Sequence, residues 1–128
     1  MTGHSEHWIC IVDDDDDLRA TLRRVLEEAG LHVADFSRGD DALKFAESPR
    51  ASLYLVDIVM PDQEGLEVVR SLRALDERAP IIAMTGYDSR YLEIAQMFGA
   101  DDVLRKPFTG RQLLACVRRL LDRGEAPR

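Results

Sequence analysis

Five short apolar runs alternate with longer segments of helical periodicity along this chain, and no other feature of the sequence constrains the fold as strongly. Each run is rich in apolar and β-branched residues, which is typical of a strand covered on both faces. In each following segment, apolar residues recur every three or four positions, as in an amphipathic helix. The strand and helix pairs are 8–12 with 18–29, 31–36 with 40–46, 53–56 with 65–75, 81–84 with 90–98, and 103–104 with 111–121.

This alternation predicts an α/β fold, because each helix returns the chain across the sheet so that the next strand pairs in parallel. With right-handed crossovers, we expect a flavodoxin-like, doubly wound, five-stranded parallel sheet in the order 2-1-3-4-5, with helices on both faces. The 128 residues suffice for one domain of ordinary size. We expect that domain to cover residues 7–123, with flexible ends at 1–6 and 124–128.

The charge and the apolar pattern argue against nucleic-acid and membrane functions. A net charge of −7 disfavours direct binding to nucleic acid, which depends largely on Lys and Arg. No apolar run approaches the roughly 20 residues that span a bilayer. The polar segment 1–7 is unlike a signal peptide, so we expect a cytoplasmic protein.

Two groups of residues have simple structural interpretations. Cys10 and Cys116 lie far apart within apolar runs, which predicts two buried side chains rather than a disulfide or a zinc site. The arginines near the C-terminus indicate a solvated helix face, with a protein-binding surface as the alternative. They are Arg111, Arg118, Arg119 and Arg123.

Polar residues stand at the carboxyl ends of the predicted strands. Asp13 and Asp14 follow the first strand and Asp57 closes the third. Ligands of doubly wound sheets bind at this edge where the winding reverses, which lies between strands 1 and 3 in the expected order. The three carboxylates should therefore converge, whereas Asp15 to Asp17 suit the first turn of a helix.

The chemistry of these side chains indicates a magnesium site. Adjacent carboxylates repel one another unless a cation is present, and carboxylates without His or Cys select a hard, oxygen-seeking ion such as Mg²⁺. Thr85 closes the fourth strand and Lys106 follows the fifth, which adds a hydroxyl and an ammonium group. A carboxylate nucleophile, a metal, a cation and a hydroxyl are the groups needed to form an aspartyl phosphate.

Several segments together resemble the receiver domains of two-component response regulators. They are Val12-Asp13-Asp14-Asp15, Val56-Asp57-Ile58-Val59-Met60-Pro61 with Gly65, Ala83-Met84-Thr85-Gly86, and Lys106-Pro107-Phe108. The resemblance spans almost the whole chain, and the motifs stand in the family's order. It implies that Asp57 is the phosphoacceptor, that Asp14 ligates Mg²⁺ directly, and that Asp13 acts mainly through a water. The backbone carbonyl of Val59 would be a further ligand.

The resemblance also assigns the residues around the phosphoryl group. Thr85 and Lys106 would contact its oxygens, and Gly86 is the small residue that leaves room for the donor. The Lys106-Pro107 bond is expected to be cis. The chain departs from the family at the usual aromatic switch position, which is Val103, and beside the path of hydrolytic water, where Val59 and Tyr87 are poorly suited to orient it.

The resemblance implies a phosphoacceptor in a signalling phosphorelay, which assists its own phosphorylation and dephosphorylation but is not otherwise an enzyme. The sequence contains no nucleotide-binding P-loop, so the phosphoryl group must come from a partner. That partner would be a sensor histidine kinase or a histidine phosphotransfer protein. A downstream protein would bind through helix 4, strand 5 and helix 5, and homodimerisation on phosphorylation is left open.

Two alternatives compete with this interpretation. A Mg²⁺-dependent phosphatase with an aspartyl nucleophile usually carries a general acid two residues past that nucleophile, where this chain has Val59. A pseudo-receiver that only binds partners is disfavoured by the complete set of five polar residues: Asp13, Asp14, Asp57, Thr85 and Lys106. The sequence does not identify the kinase, the output target, an output domain, the oligomeric state or the phosphoryl lifetime.

Overall fold

Each predicted apolar run forms a strand in the computed structural model, which describes residues 7–48, 51–60, 63–86 and 89–125. The strands are β1 (Trp8–Val12), β2 (His32–Phe36), β3 (Leu53–Asp57), β4 (Ile81–Thr85) and β5 (Asp102–Arg105). The helices are α1 (Asp16–Glu28), α2 (Gly39–Ala46), α3 (Gly65–Leu75), α4 (Ser89–Phe98) and α5 (Gly110–Glu125). A short antiparallel pair that the sequence did not predict, Val59–Met60 with Gln63–Glu64, lies between β3 and α3.

The five strands form one sheet in the order β2-β1-β3-β4-β5, and each neighbouring pair is parallel. The predicted fold class and strand order are therefore confirmed. The winding direction reverses between β1 and β3, where Val12 pairs with Val56. The carboxyl ends of these two strands thus lie side by side.

Apolar side chains fill both sides of the sheet, as expected for strands that are buried on two faces. In β3, Leu53 and Leu55 pack with α1 and α5, whereas Tyr54 and Val56 pack with α2, α3 and α4. All five residues of β3 are buried, including Asp57 at its end. Cys10 and Cys116 are buried free thiols in these two cores, as predicted.

Capping residues set the ends of the helices beside the site. The Asp15 carboxylate accepts a hydrogen bond from the Leu18 N–H at 3.0 Å, which caps α1. The helix is followed by Gly30, whose φ of 89° is the left-handed conformation that favours glycine. Thr109 and Gln112 bond reciprocally at 2.8 and 3.0 Å to form a capping box for α5.

The limits of the domain remain a prediction. Helix α5 continues through Glu125, two residues past the expected boundary at 123. Residues 1–6 and 126–128, which were predicted to be flexible, lie outside the described residues. Within the described ranges, no helix combines the length and the apolar character that crossing a bilayer requires.

Candidate functional site

Three carboxylates meet at the carboxyl ends of β1 and β3. Asp13 and Asp14 follow β1, and Asp57 is the last residue of β3. One oxygen from each of these carboxylates lies within 4.8 Å of the others. Asp13 and Asp57 are buried, whereas Asp14 is exposed. The structure therefore brings together the three acids that the sequence placed at this edge.

Asp13 is fixed through its backbone and its carboxylate. Its N–H donates to the Phe36 carbonyl at 3.1 Å. The Asp13 Oδ1 accepts from the Asp15 N–H at 2.9 Å, and its Oδ2 accepts from the Lys106 ammonium at 3.0 Å. Since Asp13 is fully buried, these bonds replace the water that its polar groups would otherwise bind.

Asp57 is a buried carboxylate with an unusual pKa. Its Oδ1 accepts from the Val59 N–H at 2.9 Å, and its Oδ2 accepts from Lys106 at 3.3 Å. The pKa of Asp57 is raised from 3.8 to about 6, because burial and, to a smaller extent, the Asp13 charge outweigh the opposing Val59 and Lys106 donors. Loss of hydration is therefore the main reason why this carboxylate is harder to ionise than a free one, and the neighbouring acid adds to that effect.

This pKa predicts how the stability of the metal-free protein depends on pH. The folded state binds the Asp57 proton more tightly than the unfolded state, in which the pKa is near 3.8. Raising the pH from about 4 to above 6 should therefore lower the free energy of unfolding, by roughly 2 to 3 kcal/mol from this group. Urea denaturation of wild type and Asp57→Asn, with a chelator present, measures the effect. The variant should become the more stable protein near pH 7, and equal pH slopes would contradict the prediction.

Lys106 connects the two buried acids. Burial alone would lower the pKa of its ammonium group, but the contacts with Asp13 and Asp57 outweigh burial and raise it. The ammonium group therefore stays charged. Its backbone N–H donates to the Thr85 carbonyl at 2.7 Å, and the following bond to Pro107 is cis, as the resemblance implies.

Thr85 and Gly86 lie at the end of β4, beside Lys106. Thr85 is fully buried, whereas Gly86 is exposed. A Cβ added at Gly86 would meet only the Lys106 Cβ, at an ordinary 3.8 Å. Packing thus does not require glycine here, and the small residue leaves space beside the base of the Lys106 side chain.

Gly65 begins α3 directly against the backbone of the candidate nucleophile. A Cβ at this position would lie 2.3 Å from the Ile58 Cα and 2.5 Å from the Asp57 carbonyl oxygen. The sequence placed Gly65 only at the start of a predicted helix and within the family motif around Asp57. The structure shows that glycine is needed for close approach of two backbone segments.

Arg19 is a residue at the site that the sequence analysis did not single out. Its guanidinium donates to the Asp13 carbonyl at 2.8 Å. In the sequence it is one charged residue among several on an amphipathic helix, so no local signal separates it from the solvated ones.

Other expected positions lie at the margin of the site. Val59 is half-buried, and its N–H is already bonded to Asp57. Val103 is half-buried, pairs with Ala83 and packs on the core beneath α3 and α4. Tyr87 lies outside the described residues, so the expected path of hydrolytic water stays a prediction.

The donor set fits a hard divalent cation. The described ligand groups are carboxylates at short mutual distances, and one nearby ammonium group does not balance their charge. Oxygen ligands of this kind suit Mg²⁺ and do not suit the softer metals that prefer Cys or His.

Comparison with known proteins points to one family. A model described as the response regulator receiver domain matches residues 9–118. The chain is 35% identical over 118 residues to the alkaline phosphatase synthesis transcriptional regulatory protein PhoP of Bacillus subtilis, covering 91% of this chain and 49% of that protein. It is 41% identical over 116 residues to the response regulator MprA of Mycolicibacterium vanbaalenii, covering 90% and 50%. The chain thus spans about half the length of these curated relatives.

Solved structures of similar proteins share this fold over nearly their whole length. A CheY-like receiver domain protein from Methanospirillum hungatei superposes with a TM-score of 0.90 at 32% identity, covering 94% of this chain and 98% of that one. A two-component response regulator from Clostridium difficile superposes with a TM-score of 0.88 at 27% identity, covering 94% and 100%.

Proposed function

Because this chain belongs to the response regulator receiver domain family, we propose that Asp57 accepts a phosphoryl group from a partner protein in a Mg²⁺-dependent step. The observation that carries the proposal is the position of Asp57, which is buried beside two other acids and within reach of Lys106. A carboxylate in such an environment is set apart from the exposed acids of the chain.

The donor is a phosphohistidine of the partner. A carboxylate oxygen of Asp57 attacks the phosphorus, a P–O bond forms, and the P–N bond to the imidazole breaks. The hydrogen bond from Val59 N–H fixes the orientation of the carboxylate before the donor arrives. The product is an acyl phosphate on Asp57.

The protein side chains hold the transferred group. The Lys106 ammonium group, now shared by Asp13 and Asp57, is placed to donate to a phosphoryl oxygen. The Thr85 hydroxyl is a second donor from the end of β4. Asp13, Asp14, Asp57 and the Val59 carbonyl would hold Mg²⁺, which would offset the repulsion between these acids and the incoming phosphoryl oxygens.

The partners follow from this chemistry. The phosphoryl group comes from outside this chain, and a sensor histidine kinase or a histidine phosphotransfer protein supplies it. The protein assists its own phosphorylation and dephosphorylation without turning over a free substrate. The expectation that this segment does not itself bind nucleic acid stays a prediction.

The surface of α4, β5 and α5 is the proposed docking site for a downstream protein. A groove of about 740 Å³ runs between β5 and α5, and both Lys106 and Val103 line it. A rearrangement of Lys106 at the site would therefore change the lining of this groove. Val103 is short and β-branched, so its rotation displaces much less volume than the rotation of an aromatic switch residue. The rearrangement on phosphorylation is therefore expected at Thr85 and Lys106 instead.

Labelling with acetyl phosphate tests the proposed function. We expect intact mass spectrometry to show one phosphoryl adduct with Mg²⁺ present and none with a chelator. Asp14→Ala keeps the nucleophile but removes a metal ligand, so its labelling should be lost even with Mg²⁺ present. Labelling of that variant without Mg²⁺ dependence would refute the role of Asp14 as a ligand. Continuous turnover of a generic phosphomonoester would favour the phosphatase alternative, and a complete absence of labelling would favour the pseudo-receiver.

A further inference from the structure

Arg19 joins three elements of the fold around the backbone of Asp13. Its Nη1 donates to the Asp13 carbonyl at 2.8 Å, just past the end of β1. Its Nε donates to Asp35 of β2 at 3.2 Å, and its Nη2 pairs with Asp16 of α1 at 2.9 Å. Only 17% of the Arg19 side chain is exposed, so the guanidinium is largely shielded from solvent. All three nitrogens of the planar group are used, which fixes its orientation.

The bond to the Asp13 carbonyl completes the immobilisation of that residue. The Asp13 N–H is held by Phe36, and its carboxylate is held by Asp15 and Lys106. Arg19 supplies the donor for the remaining polar group of this fully buried residue. Without Arg19, the carbonyl would lose a charge-assisted hydrogen bond in an environment with little access to water.

The geometry of the peptide unit extends this effect to the next residue. The Asp13 carbonyl belongs to the same planar group as the Asp14 N–H. A carbonyl that is held in one direction therefore holds the whole Asp13–Asp14 peptide plane, and this plane sets where the Asp14 backbone and side chain begin. Asp14 is exposed and has a short side chain, so its position relative to Asp13 and Asp57 depends strongly on this plane.

We infer that Arg19 is a positioning residue, which orients the Asp13–Asp14 peptide and thereby sets the affinity of the carboxylate cluster for Mg²⁺. The inference rests on the proposed function, because it assumes that this cluster binds the ion. Arg19 acts through a backbone carbonyl and not by contact with the ion. Its role is that of an outer-shell partner, whose loss typically weakens metal binding by about 10 to 100-fold.

If Arg19 acted only through its charge, its removal would change the Mg²⁺ affinity in the opposite direction. Removing a positive charge from the neighbourhood of three carboxylates leaves the site more negative, which would strengthen its attraction for a divalent cation. Loss of positioning instead weakens the binding of the ion. The direction of the change in affinity therefore distinguishes the two roles.

The experiment is a Mg²⁺ titration of the unphosphorylated full chain, followed through the backbone amide shifts of residues 13–15. We expect Arg19→Gln to bind Mg²⁺ more weakly, with a dissociation constant about 10-fold higher than that of wild type. Arg23→Gln is the matched control, since Arg23 lies on the same helix and bonds Asp35 at 2.5 Å and Glu27 at 3.1 Å. The control removes the same charge from the same network and should leave the dissociation constant within about twofold of wild type.

The other outcomes overturn the inference. Unchanged or tighter Mg²⁺ binding by Arg19→Gln, with wild type binding normally, would show that Arg19 does not position the site. Equal weakening in Arg23→Gln would assign the effect to the network as a whole. If wild type itself fails to bind Mg²⁺, the proposed function fails first and the inference falls with it.

Thermal denaturation of the same variants separates positioning from stability. If Arg19 had a purely structural role, Arg19→Gln would lower Tm and leave the midpoint of the Mg²⁺ titration unchanged. That result would contradict the inference. If Arg19→Gln does not fold, Arg19→Lys takes its place. One ammonium group cannot serve three acceptors in the geometry of a guanidinium. We therefore expect Arg19→Lys to bind Mg²⁺ less tightly than wild type, and wild-type affinity in a folded Arg19→Lys would overturn the inference.

Discussion

Replacement of Asp57 by Asn is expected to abolish the phosphoryl adduct completely. The amide has no negative charge and is a poor nucleophile, so the attack on phosphorus loses its electron-rich oxygen. The fold should survive, because an Asn carbonyl can still accept from the Val59 N–H. Substitution also removes one charge from a buried acidic cluster. The loss of labelling should therefore occur in a protein at least as stable as wild type.

Intact mass spectrometry after incubation with acetyl phosphate and Mg²⁺ measures this loss. Asp17→Asn is the matched control, since Asp17 is an exposed acid in the same acidic segment and should label as wild type does. An undiminished adduct on Asp57→Asn would refute the assignment of the phosphoacceptor. Hydroxylamine should release the wild-type adduct, as expected for an acyl phosphate.

Substitution of Gly65 by Ala is expected to destabilise the protein by about 3 kcal/mol or more. The added Cβ would lie 2.3 Å from the Ile58 Cα and 2.5 Å from the Asp57 carbonyl oxygen. Both atoms belong to the backbone, so no side-chain rotation relieves the overlap. Helix propensity predicts the opposite, because Ala is favoured over Gly in a helix by up to about 1 kcal/mol. The sign of the change thus tests the close approach itself.

Urea denaturation of Gly65→Ala and Gly86→Ala provides the comparison. A Cβ at Gly86 meets its nearest neighbour at 3.8 Å, so that variant should keep wild-type stability within about 0.5 kcal/mol. Because the overlap at Gly65 involves the Asp57 carbonyl, folded Gly65→Ala should also label more slowly. Wild-type stability in Gly65→Ala would show that α3 moves away from β3 at little cost.

The sequence by itself determined the elements and their arrangement. Strands such as β3 are buried on two faces and therefore show a continuous apolar run. Helices such as α1 and α5 are buried on one face and therefore show apolar residues at a helical period. Both patterns can be recognised from neighbouring residues in the sequence. Polar residues that interrupt the apolar runs at their ends, such as Asp13 and Asp57, then fall at one edge of a parallel sheet. That rule was sufficient to predict the convergence of the acids.

Only the tertiary structure decided how these residues act on one another. Lys106 contacts Asp13 and Asp57 across separations of 93 and 49 residues. The raised pKa of Asp57 follows from its burial and from the Asp13 charge, which outweigh the opposing effect of Lys106. The close approach at Gly65 and the Arg19 bond to the Asp13 carbonyl likewise join separate elements. Periodicity records which face of an element is buried, but not which atom of another element it meets. Those contacts depend on the register of the sheet and on how each helix packs against it, and both are set when the whole core forms.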